Sequence, residues 1–206
     1  MRKQTRLDMD LNRRRLLVAA GTVIGGAGIT AVAMPFIFSM NPSARAYSAA
    51  APIDVDFSKL EPGQQITVEW RSKPVWILRR TKQNLEDLQS DTLRKKLLDP
   101  DSAETSQQPG YAQNGYRSRE AEYLVVIGIC THLGCVPTFR PDRAPDDLGP
   151  DWIGGYYCPC HGSRYDFAGR VFKNVPAPTN LVIPPYQFIS DTRVRVGEDA
   201  AMSSFT

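Results

Sequence analysis

Two short runs decide this chain: Cys130-Thr131-His132-Leu133-Gly134-Cys135 and Cys158-Pro159-Cys160-His161-Gly162-Ser163. Between them they hold all four cysteines and both histidines of a 206-residue sequence. Each run leaves an apolar or aromatic stretch, Leu124–Ile129 before the first and Tyr156-Tyr157 before the second, and enters a glycine-containing loop. Such a loop lets several side chains converge on one point, and Gly134 and Gly162 can take up positive φ without strain. Four cysteines alone allow two disulfides, a metal site or a mixture. Two features weigh against zinc without excluding it. Cys-x-His is tighter than the gap of roughly two to four residues between zinc ligands, and a Cys₂His₂ site would leave two cysteines over. Two thiolates, two imidazoles and one disulfide use all six residues, so the spacing favours an iron–sulfur centre.

Outward from these loops the sequence is rich in short β patterns. Strands are expected at Ile66–Trp70, Pro74–Arg80, Tyr123–Ile129, Gly155–Cys158, Leu181–Ile183, Tyr186–Ser190 and Thr192–Val196. One helix is expected over Asn84–Leu98, with Leu85, Leu88 and Leu97 near one face, followed by a polar loop over Asp99–Tyr116. Sixteen prolines and fifteen glycines suit many short strands better than long helices. The expected fold class is mostly β.

Leu16 to Met40 carries no charged side chain over 25 residues. At about 1.5 Å per helical residue it would span roughly 38 Å, against a hydrocarbon core of about 30 Å. Pro35 is expected to kink or end this helix. Arg13, Arg14 and Arg15 precede the apolar run, which places the N-terminus in the cytoplasm and the later residues outside. Arg13-Arg14-Arg15-Leu16-Leu17 also resembles a twin-arginine export signal, a route that carries folded proteins. The length of the run favours a retained anchor over a signal cut near Ala44-Arg45-Ala46. Gly21 and Gly25 either admit a second helix at close range or are small-residue filler.

The chain therefore divides into a basic tail at 1–15, a transmembrane anchor at 16–40, a flexible tether at 41–54 and a β domain at 55–206, with a subdomain holding the two loops at about 128–180. The net charge of +3 is local, since residues 1–15 hold six basic and two acidic residues and leave the remainder slightly negative. No basic face is left for nucleic acid.

The pair CTHLGC and CPCHGS closely resembles the two boxes of Rieske proteins, specifically those of the quinol–cytochrome c reductases. The similarity extends from the anchor through Lys73-Pro74-Val75 and both boxes to Pro176-Ala177-Pro178. It implies an antiparallel β-sandwich with a small cluster-binding subdomain and one 2Fe–2S cluster. In that family two histidines replace two cysteines on one iron. Mapped residue by residue, the resemblance implies Cys130 and Cys158 on one iron, His132 and His161 on the other, and a disulfide between Cys135 and Cys160. Ser163 and Tyr165 stand where the family's hydroxyls donate hydrogen bonds to cluster sulfur, and Leu133 stands at the docking tip. Two departures are Val175, where many relatives have glycine, and the long connection 136–157, expected to be a surface elaboration.

What the resemblance implies is a respiratory electron carrier. A neutral imidazole puts less negative charge on iron than a thiolate, which raises the potential, and hydroxyl donors raise it further. A ligand imidazole beside a less positive iron binds a proton more readily, so electron and proton move together. His161 is the expected acceptor of the hydrogen bond and proton from ubiquinol, with the electron passing to a c-type cytochrome after the domain swings on its tether. The implied partners are cytochrome b and a c-type cytochrome in a dimeric complex, together with membrane lipid. The implied location is a bacterial inner membrane, single-pass, with the cluster domain in the periplasm. A second reading is the Rieske subunit of a periplasmic molybdenum oxidase such as arsenite oxidase. Soluble Rieske ferredoxins of oxygenases and a structural zinc module are weaker alternatives. Elsewhere, Lys73, Arg79, Arg80 and Lys82 are expected to be a solvated strand end, and Trp70, Trp76 and Trp152 to be packing residues.

Overall fold

The computed structural model describes residues 2–43, 46, 48 and 51–199, the side chains from residue 11 onward. It divides into two units, Met1–Ser48 and Ala49–Thr206. The first holds the helix α1 (Arg2–Ser39), whose stretch from Leu11 to Ser39 is long and apolar enough to cross a membrane. The helix includes the basic tail and runs through Pro35 to end four residues later at Ser39, so of the expected kink or end, Pro35 does not itself end it. A proline deletes one intrahelical bond, and neighbouring turns can carry the helix past it in an apolar setting. Hydroxyls in this stretch return their protons to carbonyls one turn back, Thr22 to Val18 (2.8 Å) and Thr30 to Gly26 (2.9 Å), so neither presents a free donor. Added Cβ atoms at Gly21 and Gly25 would meet nothing within 4 Å.

Among the described residues the second unit is built from nine strands in three antiparallel sheets. The terminal sheet has β1 (Ile53–Asp56) beside β9 (Arg193–Val196), which pairs in turn with β8 (Tyr186–Ser190). The central sheet runs β2 (Gln65–Trp70), β3 (Lys73–Arg79) and β4 (Tyr123–Ile127), with Val75 opposite both Val68 and Ile127. The third sheet comprises β5 (Thr138–Arg140), β6 (Gly155–Tyr157) and β7 (Arg164–Tyr165). β4 reads Tyr-Leu-Val-Val-Ile and is buried after its first residue, so a continuous apolar run makes it the middle of the core.

Several expectations need correction. Ile53 already pairs with Val196, so the β domain begins inside the segment assigned to the tether. Much of the tether, at residues 44, 45, 47, 49 and 50, lies outside the described residues. The single helix over Asn84–Leu98 is two, α2 (Lys82–Gln89) and α3 (Asp91–Lys96), separated by Ser90 in an extended conformation. Thr81 starts α2 through a capping box, its hydroxyl accepting from the Asn84 N–H (3.1 Å) while Asn84 accepts from the Thr81 N–H (3.0 Å). Leu88 and Leu97 are buried, and Leu85 is half-buried. Leu181–Ile183 is no strand, although Leu181 and Ile183 are buried. Its backbone instead ties three places together, with the Leu181 N–H on the Gly169 carbonyl, the Ile183 N–H on the Gln107 carbonyl and the Val182 carbonyl accepting from Ile127. The loop 99–116 holds two 3-10 turns, Thr105–Gln107 and Gly110–Ala112.

The connection 136–157 is more than a surface elaboration. Its ends supply β5 and β6, and the exposed turn between them is pinned by buried Leu148 and Trp152. Arg140 holds the turn by binding Asp142 and Asp147 (2.8 and 2.7 Å). The three tryptophans are core residues, each at most 5% exposed. Of the expected solvated strand end, Lys73 and Lys82 are exposed and Arg79 pairs with Glu122 (2.6 Å), but Arg80 is a correction, only 1% exposed. Where β3 ends, the chain turns inward toward α2, and that turn carries Arg80 beneath the surface.

Candidate metal centre

The two loops close by the same backbone device. In the first, the Cys130 N–H donates to the Cys135 carbonyl (2.7 Å) and the Gly134 N–H to the Cys130 carbonyl (3.0 Å). In the second, Cys158 donates to Ser163 (2.8 Å) and Gly162 to Cys158 (2.9 Å). Gly134 and Gly162 sit at φ +83° and +77°, where a side chain would be strained. The result is two equivalent hairpin-like loops, one following β4 and the other joining β6 to β7.

A disulfide between Cys135 and Cys160 locks the loops together, with a Cα–Cα distance of 6.7 Å. Cys130 and Cys158 remain free thiols, each 2% exposed. His132 and His161 cross edge to face, with ring centroids 4.8 Å apart; His161 is exposed and His132 half-buried. Leu133 is 71% exposed at the tip of the first loop, an uncommon position for leucine unless another surface covers it. Sγ atoms of Cys135, Cys158 and Cys160 also lie close together, but the disulfide removes two of them as metal ligands.

Electrostatics favour a thiolate at the first of these cysteines. Burial pushes the Cys130 thiol up, yet hydrogen bonds from the Tyr165 hydroxyl and the His132 backbone outweigh it and bring it below its ordinary value. Burial leaves the Cys158 thiol raised. The Tyr165 phenol oxygen stands 3.2 Å from Cys130 Sγ, and burial holds that phenol well above its ordinary range. The Thr131 N–H donates to the phenol oxygen (3.2 Å), while the Thr131 hydroxyl gives its proton to the Thr179 carbonyl (2.7 Å). The phenol proton is thereby left for sulfur or for the Thr131 hydroxyl oxygen, 3.2 Å away. Ser163 is fully buried, and its oxygen accepts from the Ala177 N–H (3.1 Å), which ties the Pro176-Ala177-Pro178 loop to the second box.

Thr131 and Gly128 shape this site by their contacts, and the sequence pattern did not single them out. A Cβ on Gly128 would lie 2.3 Å from the Trp76 ring, which stacks on Tyr156 (4.7 Å, 11°) directly behind the loops. A small residue two positions before Cys130 was the one available signal. Two thiols, two imidazoles and hydroxyl donors toward sulfur fit a 2Fe–2S cluster ligated by two Cys and two His, with no cysteine left over.

Comparison with known sequences points to the same type of cluster. Residues 54–187 match the family model described as "Rieske [2Fe-2S] domain", and residues 4–43 match "Ubiquitinol-cytochrome C reductase Fe-S subunit TAT signal". The chain is similar to the "Ubiquinol-cytochrome c reductase iron-sulfur subunit" of Allochromatium vinosum, 58% identical over 91% of this chain and 89% of that relative. It is also similar to the subunit of the same name from Blastochloris viridis, 42% identical over 93% of this chain and 96% of that relative. Among solved structures it is similar to a chain of "Hyperthermophilic respiratory Complex III", with TM-score 0.44, 22% identity, 86% of this chain and 97% of that chain covered.

Proposed function

Since this chain belongs to the Rieske [2Fe–2S] family, among the iron–sulfur subunits of ubiquinol–cytochrome c reductase, we propose that Cys130 and Cys158 bind one iron and His132 and His161 the other. The protein is the electron-transfer subunit of that redox complex, a single-pass inner-membrane protein carrying one Rieske-type cluster, with cytochrome b and a c-type cytochrome as partners and quinol as reductant. This replaces the molybdenum-oxidase reading and the weaker ferredoxin and zinc-module alternatives.

The carrying observation is the division of the six Cys and His residues. Two cysteines form the disulfide, two stay buried and free, and the imidazoles meet at the exposed edge. When bound, the cluster supplies one-electron chemistry at the raised potential that imidazole ligation confers. The chain's own residues do the rest. The Tyr165 hydroxyl donates to Cys130 Sγ, and the Ser163 hydroxyl, anchored by the Ala177 N–H, contributes a second hydrogen bond to the same sulfur. Burial of both thiols keeps water from the sulfur side, while the exposed imidazole of His161 stands where a quinol hydroxyl can reach it. Its nitrogen not used for ligation, when it carries no proton, would accept the hydrogen bond and then the proton. Leu133, exposed at the loop tip, is the side chain through which the domain docks. Residues 41–52 act as the tether on which the domain moves to the cytochrome.

Iron and acid-labile sulfide analysis of the full chain, with an EPR spectrum after reduction, tests the ligand set. Cys158→Ser is expected to remove iron, sulfide and signal together. A signal that survives in both Cys158→Ser and His132→Ala would sink the assignment. Prolines placed across Ala46–Pro52 are expected to slow quinol oxidation while the reduced spectrum is unchanged; wild-type turnover in that variant would end the case for the swing.

A further inference from the structure

Three arginines, Arg80, Arg117 and Arg170, are at most 1% exposed, and they gather around the turn that follows Tyr165. Asp166, one residue or about 3.8 Å of chain beyond Tyr165, accepts from Arg170 Nε (2.7 Å) and from the N–H groups of Ala168 and Arg170 (2.8 Å each). Arg117 donates to the carbonyls of Ala168 and Gly169 (3.2 Å each) and to Gln108 Oε1 (3.0 Å). Arg80 reaches Ser118 Oγ (3.3 Å), and its Nε and Nη1 find no hydrogen-bond partner, nor does Arg117 Nε. Arg80 follows β3, whose neighbour β4 leads into Cys130, and it feels the ring of Tyr156, the cross-strand partner of Tyr165.

The charges in this interior do not cancel. Asp166 is the fully buried carboxylate among the described residues, and it is matched by Arg170. Half-buried Asp99 faces Arg117, and among the described residues Arg80 forms no ion pair: the carboxylate that attracts it, Asp166, is already bound by Arg170. Burial draws Arg80 and Arg117 down to about 10, which leaves both charged at neutral pH. Isolated buried charge is costly to stability, so an arginine kept this way calls for a compensating role.

We propose that Arg80, with Arg117, is a positioning residue for electrons: its uncompensated buried charge raises the reduction potential of the cluster held by the 130 and 158 loops. The inference rests on the ligand assignment above. Reduction adds one negative charge to the site, and a fixed cation behind Tyr165 stabilises the reduced form more than the oxidised one. Through the protein interior such an interaction is strong, and ions in solution cannot screen it as they screen surface charge. The chain thus has two separate means of raising the potential, hydroxyls at sulfur and buried charge behind them.

EPR-monitored redox titration of the full chain tests this, comparing wild type with Arg80→Met, Arg80→Lys and Ser118→Asp at low and high salt. Arg80→Met is expected to titrate at a lower potential with an unaltered reduced spectrum, and the shift to persist at both salt concentrations. Arg80→Lys is expected to stay near wild type. Ser118→Asp places a carboxylate beside Arg80 Nη2 and is expected to lower the midpoint while keeping the arginine in place, so it serves if Arg80→Met does not fold. A wild-type midpoint in Arg80→Met or Ser118→Asp overturns the proposal, as does an equal fall in Arg80→Lys, which would mark packing as the cause. Loss of the reduced spectrum in wild type itself would overturn the ligand assignment beneath it.

Discussion

The hydroxyl of Tyr165 lies 3.2 Å from Sγ of Cys130, across 35 residues of chain, and is the nearest hydroxyl to a proposed ligand sulfur that the hydrogen-bond geometry records. β7 delivers it there: Tyr165 pairs with Tyr156 in β6, and both rings are fully buried behind the loops.

Removing that hydroxyl is expected to lower the midpoint potential without unfolding the domain. A hydrogen bond to a charged group is worth about 1.5–3 kcal/mol. Only the difference between the two redox states counts, and about 1 kcal/mol of it corresponds to roughly 40 mV for one electron. Tyr165→Phe and Ser163→Ala should each shift the midpoint downward by that order, and the double variant by more, as read by cyclic voltammetry. Unchanged potentials would remove both hydroxyls from the mechanism.

Replacing Cys135 and Cys160 together by alanine should loosen the two loops while leaving β1–β9 folded. The pair is separated by 25 residues, for which the chain-entropy account gives about 3.5 kcal/mol. The expected readouts are a lower midpoint of thermal unfolding and faster loss of iron to a chelator. Equal chelation rates in the variant and the parent would show that the loops hold without the bridge.

Gly155 and Gly134 both have positive φ, but their substitutions should differ sharply. A Cβ at Gly155 would lie 2.1 Å from the Tyr165 carbonyl oxygen, in a rigid backbone at φ +146°. Gly155→Ala must push β6 away from β7 and carry the Tyr165 hydroxyl off Cys130, at a cost of about 3 kcal/mol or more. At Gly134, φ +83°, a Cβ meets nothing within 4 Å, so alanine there should cost about 1 kcal/mol. Urea unfolding of the two variants checks the order, and a reversed ranking would contradict the close approach at Gly155.

Stability should fall in alkali between pH 10 and 12. Burial pushes the Tyr186 phenol up to about 12, from an ordinary value of 10. Over that window the unfolded chain has released the proton while the folded chain keeps it. The folded state therefore binds more protons, and unfolding becomes easier as pH rises. One such group contributes a slope of about 1.4 kcal/mol per pH unit. Tyr186→Phe should flatten the decline by up to that amount in urea titrations at pH 9, 10 and 11. Parallel curves for variant and parent would mean that Tyr186 ionises as freely in the folded protein as out of it.

Much of this was legible in the sequence. Six of the nine strands follow from runs such as Tyr123–Ile127 and Tyr186–Ser190, because alternation and continuous apolar stretches are local signals. β1 escaped notice because its partner lies far along the chain, Ile53 opposite Val196, and β5 and β7 because three and two residues set among polar and proline neighbours carry little β signal. The helix 84–98 was seen as one because its leucine pattern runs through Ser90, where the backbone breaks. Leu181–Ile183 looked like a strand because it is buried, and burial by itself does not require a ladder.

The chain's order alone determined the two-box spacing of cysteines and histidines and the membrane anchor, since side-chain chemistry and hydropathy are properties of neighbouring residues. Tertiary structure decided which hydroxyl meets Cys130, that a glycine must lie under Trp76, and that Arg80 is interior when its charged neighbours suggested solvent. Those outcomes depend on contacts between strands tens of residues apart, and the energy of burying a group is set by what folding brings around it.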